Sequence, residues 1–142
     1  VAQFPIPDAG LVQFLDWMLK NNSGTNEDLA LRLYTNVVTP GRNSVTGDFT
    51  EATFGGYGQR LISRSVWGDA MLDTHTAKMT LSGDPFEWTP TDSGQVLIGC
   101  FIVGQATNNL YAAYRFATPR TTVAGVTLNL IPVFSLACPS VA

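Results

Sequence analysis

The nine residues Gln95-Val96-Leu97-Ile98-Gly99-Cys100-Phe101-Ile102-Val103 constrain the fold more than any other stretch. Val96, Ile98, Cys100 and Ile102 alternate with Leu97, Phe101 and Val103, so a strand here is apolar on both faces. Such a strand must be covered from both sides and belongs at the centre of a sheet. Gln105-Ala106-Thr107-Asn108-Asn109 reads as a turn, and residues 110–118 return as the hairpin partner.

The remaining pattern is that of short strands separated by turn residues. Leu29, Leu31 and Leu33 alternate with Ala30, Arg32 and Tyr34. Thr39-Pro40-Gly41-Arg42-Asn43 is a loop tip. Residues 49–54 and 59–67 are expected as strands, with glycines 55, 56 and 58 marking a bend. Residues 68–76 read as a loop, and residues 77–81 and 85–88 as short strands around Ser82-Gly83-Asp84. Val126, Leu128 and Leu130 form another alternating run, and Pro132 marks an edge or bulge before residues 133–136.

One stretch is helical. Leu11, Phe14, Leu15, Trp17, Met18 and Leu19 follow the helical period, Asp8 is placed as an N-cap, and Asn21-Asn22-Ser23-Gly24 ends the run, predicting a helix over residues 9–21. Its roughly three turns are too few to stand alone. The pattern therefore predicts a mainly β protein, an antiparallel β-sandwich or jelly-roll-like barrel with one N-terminal amphipathic helix. It is expected as a single domain: residues 1–24 form an arm and helix, residues 25–142 a β core.

Composition narrows the function. The chain of 142 residues is 45% hydrophobic but only 13% charged, about half the usual charged fraction. Its surface must be built from uncharged polar residues, or part of its apolar surface must meet a partner. Net charge is −3 and the eight Lys and Arg are scattered, so the basic footprint of nucleic-acid binding is missing. No apolar run reaches the ~20 residues of a membrane helix, and the N-terminal residues do not read as a secretory signal. Neither nucleic acid nor membrane is expected as a partner. Cys100 is expected as a buried thiol; it fits no zinc or redox spacing with Cys138, and no bridge between the two is expected.

Catalytic patterns are not evident. His75 is the one histidine, in a polar loop, and a solvated role is expected. Asp69, Asp73 and His75 are too sparse a donor set for zinc or calcium. Asp84, Glu87 and Asp92 read as turn and strand residues rather than the facing pair of a glycosidase. The expectation is no enzyme, no metal and no cofactor.

Three segments carry a resemblance. Pro7-Asp8-Ala9-Gly10 opens the helix, Leu31-Arg32-Leu33-Tyr34-Thr35-Asn36 leads to Thr39-Pro40, and Phe49-Thr50-Glu51-Ala52-Thr53-Phe54-Gly55-Gly56-Tyr57 follows. Tyr111 to Phe116 and Thr127 to Pro132 add looser matches. Together these resemble small virion-associated structural proteins of tailed bacteriophages. The resemblance implies a capsid decoration or cement protein that binds the outer shell and bridges subunits of the major capsid protein. It also implies location in the virion after assembly in the host cytoplasm, and self-association, a trimer being one symmetry that suits threefold positions. Phe4, Ile6, Leu11, Phe14 and Trp17 are expected either to seal one end of the sandwich or to dock on a neighbour, and with Pro40, Arg42 and Asn43 on the loop tip they are the expected contact residues. The alternative is a tail-tip or fibre module for a cell-surface glycan, with Tyr57, Trp67 and Trp88 as its stacking platform.

Overall fold

The computed structural model describes residues 7–20, 27–80 and 84–137. Within them the chain is mainly β, with antiparallel sheets and one N-terminal helix. It forms two compact units: one takes residues 27–62 and 86–130, the other the helix with residues 63–85 and 131 onwards.

The larger unit is organised by the apolar strand singled out above. In it β1 (Leu29–Tyr34), β2 (Arg60–Ile62), β6 (Val96–Gly104) and β7 (Leu110–Thr121) make a four-stranded antiparallel sheet in the order β2-β1-β6-β7. Strand β6 sits inside the sheet, and its Leu97, Ile98, Phe101, Ile102 and Val103 are all buried. On one face Ala30, Tyr34, Phe49, Ile98, Phe101 and Val103 form a core cluster, in which Phe49 stacks on Phe101 with ring centroids 5.0 Å apart. On the other face Leu33, Leu97 and Phe116 meet Trp88, Leu128 and Leu130 around one small cavity. Those three come from a two-stranded ribbon of β5 (Phe86–Trp88) and β8 (Leu128–Leu130).

A sheet covered on both faces needs a close backbone fit. A Cβ on Gly99 would collide with the Tyr34 ring and the Tyr114 carbonyl, so only glycine fits there.

The smaller unit contains α1 (Asp8–Lys20) and the sheet β3-β4-β9, made of β3 (Met71–Asp73), β4 (Thr76–Thr80) and β9 (Val133–Ala137). Leu11, Leu15 and Leu19, one helical turn apart, form the buried stripe of α1, which lies against β4 and β9. Ala77 and Met79 of β4 are buried while Lys78 and Thr80 between and beyond them are exposed. Trp67 packs edge-on against Phe134 of β9, centroids 5.3 Å apart.

Several local expectations change. Residues 49–54 contribute one isolated bridge, Tyr34 with Glu51, rather than a strand. The 59–67 run divides into β2 and a 3₁₀ turn at Arg64–Val66. The presumed loop at 68–76 holds β3 and the tight hairpin to β4, whose turn residues Thr74 and His75 both have positive φ. The runs at 77–81 and 85–88 do not pair with each other: β4 joins β9 and β5 joins β8. Asp8 opens the helix as its first residue, and the Leu11 N–H bonds the Pro7 carbonyl at 3.0 Å.

Candidate partner-binding surface

Helix α1 is fixed along one flank and open along the other. Asp16 and Lys20 lie one turn apart on the fixed flank. The Asp16 carboxylate accepts the Ala70 N–H at 3.3 Å, and the Lys20 ammonium pairs with Asp69. At the start of the helix, Asp8 engages His75 Nδ1 at 2.9 Å. At its end the buried guanidinium of Arg64 donates to the carbonyls of Met18 and Leu19. Those carbonyls belong to the last turn, which has no intrahelical donors and carries the negative end of the helix dipole, so a buried cation is stabilised there.

The open flank carries Phe14 and Trp17. They are 54% and 61% exposed and, three residues apart, share one side of the helix. Both rings are held out to solvent by a helix whose other flank is tied down.

The other expected contact residues fall in different places. Leu11 is buried in the helix stripe, which corrects its assignment as a partner contact and leaves it the packing role, the other of its two expected ones. Phe4 and Ile6 lie outside the described residues, as does Cys138. Pro40 is half-buried, while Arg42 and Asn43 are exposed on the loop tip of the larger unit. That tip is closed by the Ser44 N–H to the Gly41 carbonyl at 3.0 Å and the Gly41 N–H to the Ser44 hydroxyl at 2.9 Å.

The proposed glycan platform is overturned by burial. Trp88 is 1% and Trp67 3% exposed. Trp88 donates its indole N–H to the Gly58 carbonyl at 2.7 Å and lies under the Arg60 guanidinium. Tyr57 is half-buried, accepts the Leu33 N–H at 3.2 Å and donates to Glu51 at 2.8 Å. None of the three offers a free ring face, since each is spent on packing or on fixing a strand end.

Polar side chains serve the scaffold. Asp69 and Asp73 each pair with a different lysine, Lys20 and Lys78, which holds both carboxyls below their usual pKa. Asp92 accepts the Gly55 N–H at 3.0 Å. Cys100 is a free thiol, and burial pushes its pKa up to about 12, so it is neutral and unreactive at ordinary pH. Among the described residues no three His, Cys, Asp or Glu side chains are grouped to hold a metal, and no helix is long and apolar enough to cross a membrane.

A depression on the larger unit went unnoticed in the sequence. It lies between β7 and β8, lined by Tyr114, Phe116, Thr118, Pro119, Arg120 and Leu130. The signal that could have found it is Pro119 within a strand pattern, which forces β7 out of its ladder. No family model, no curated protein and no solved structure matches the chain.

Proposed function

We propose that this chain is a non-enzymatic structural protein of a phage virion, a capsid decoration or cement protein that docks on the outer shell. The observation that carries the reading is the exposed Phe14–Trp17 flank of a helix tied down along its other side. A cement protein must bridge neighbouring subunits, and aromatic anchors on a rigid element provide most of the binding energy in such contacts. The low charge of the chain and the resemblance of its Pro7–Gly10, Leu31–Pro40 and Phe49–Tyr57 segments to small virion proteins support the same role. Binding the assembled shell more tightly than free subunits stabilises it by mass action. The major capsid protein is the proposed partner, and self-association at symmetry positions fits the role.

Imaging of intact particles tests this directly. Copies in regular register on the shell support the reading, and copies confined to the tail overturn it. In a shell-binding assay, Trp17→Ala should weaken association by about 2 kcal/mol, roughly thirtyfold. A Phe14→Ser/Trp17→Ser double variant that decorates shells as the native chain does would remove the helix from the contact.

A further inference from the structure

Strand β7 leaves its ladder beside β8. Arg115 pairs with Gly99 and Arg120 with Leu97, so five steps along β7 face two along β6. The surplus residues arch outwards, and Pro119 in the arch has no N–H to offer a neighbouring strand. The arch and Leu130 border the open depression described above.

Its walls are chemically uneven. Phe116 is buried at the base, and the Tyr114 ring stands edge-on to it with centroids 6.2 Å apart. Tyr114 is itself 60% exposed. The Arg120 guanidinium carbon lies 5.3 Å from the centre of the same Phe116 ring, and one of its N–H groups points at the Asn129 carbonyl at 3.4 Å. Ring and carbonyl together orient the guanidinium. No carboxylate pairs with Arg120 among the described residues, and beyond Asp92 the sequence contains no Asp or Glu at all. Its companion Arg115 is engaged by the Thr39 hydroxyl at 2.7 Å. The depression therefore joins an exposed aromatic face to an oriented cation with vacant donors, and the nearest acid on the ribbon, Glu87 opposite Asn129, forms no ion pair with that cation.

We propose that this depression binds an acidic sugar unit, a hexuronate. The apolar face of the pyranose stacks on Tyr114, and the carboxylate, attached directly to the ring, accepts two parallel N–H bonds from Arg120. A rigid ring bearing its own carboxylate matches an aromatic face and a cation that both border one phenyl ring. An acidic peptide fits less well, because strand addition needs a continuous edge of backbone donors and the arch with Pro119 interrupts it. The proposal does not depend on the virion role.

The test is titration of the labelled full chain, followed by NMR, with galacturonate trimer, neutral galactose trimer and a hexaglutamate peptide. The expected result is that the galacturonate trimer shifts amides of residues 114–120 and 128–130 and binds at least tenfold more tightly than the neutral trimer. Arg120→Gln and Tyr114→Ala should each weaken it by roughly tenfold or more, while Arg120→Lys, which keeps charge but loses the planar fork, should recover only part of the affinity. Absence of shifts at about 10 mM uronate, where a site of about millimolar Kd would be mostly filled, overturns the proposal. So does equal binding of the neutral sugar, preference for the peptide, or unchanged affinity in both Arg120 variants.

Discussion

In the unit built on β6, the inner strands β1 and β6 are buried on both faces, by the Tyr34–Phe49–Phe101 cluster on one and the β5–β8 ribbon on the other. In the unit built on β4, one face is covered by α1, while Met71, Val133 and Lys78 remain exposed on the strands. The first unit is held by side chains meeting through many strands. The second is held by the leucine stripe of α1 with Ala77 and Met79, by the Trp67–Phe134 contact, and by polar ties to one helix. Phe14 and Trp17 sit on the far side of the helix, which is not needed for the core, whereas the larger unit exposes Tyr114 and Leu61 at its outer strands.

The largest expected effect is in the doubly covered unit. Trp88→Ala removes a buried indole between ribbon and sheet and should cost about 3–5 kcal/mol, read as a fall in the urea midpoint. A loss under about 1 kcal/mol would mean that the ribbon contributes little and the two units are less different than described. Next, Arg64→Ala should cost roughly 2–3 kcal/mol, since charged hydrogen bonds to the helix-terminal carbonyls disappear. Amide exchange should speed up first in α1, with β6 changing little; equal acceleration in both would break the contrast.

The pH responses should also separate. Burial raises the pKa of Tyr34, Tyr57 and Cys100, all in the larger unit, the thiol from 9.0 to about 12. These groups are neutral when protonated, so the folded form holds its protons where the unfolded chain has lost them. The stability they contribute is complete below about pH 9 and is lost as pH climbs towards 12. Alkali should therefore loosen β1 and β6 before β4 in an exchange experiment. Asp69 and Asp73 shift the other way, through hydrogen bonds from Lys20 and Lys78. Their contribution is present above the ordinary carboxylate pKa of 3.8 and fades as pH falls through their lowered values. Both pairs are solvent-exposed, so acid should produce only a slight increase in exchange at β3 and at the end of α1. The smallest effect is that of Phe14→Ser, expected within about 0.5 kcal/mol of the native stability; a larger loss would show that the open flank is part of the core.

The sequence by itself determined what depends on local period and composition. The two-sided apolar run at residues 95–103 announced a central strand, because no other environment satisfies both faces. The helical spacing of Leu11, Leu15 and Leu19 placed α1 to within one residue, and the 105–109 turn delivered the β6–β7 hairpin. Pairing between distant segments was not legible: whether residues 77–81 join 85–88 or the far β9 is decided by which surfaces can be buried together, and alternation alone does not encode that. The same holds for exposure. Trp17, Trp67 and Trp88 look alike along the chain, and Leu11 shares its helix with Phe14. Only the tertiary structure sets Trp67 and Trp88 in cores and leaves Trp17 in solvent, because burial is a property of what lies opposite a residue. The depression at Tyr114 and Arg120 belongs to the same class, arising where a bulged strand and a distant ribbon meet.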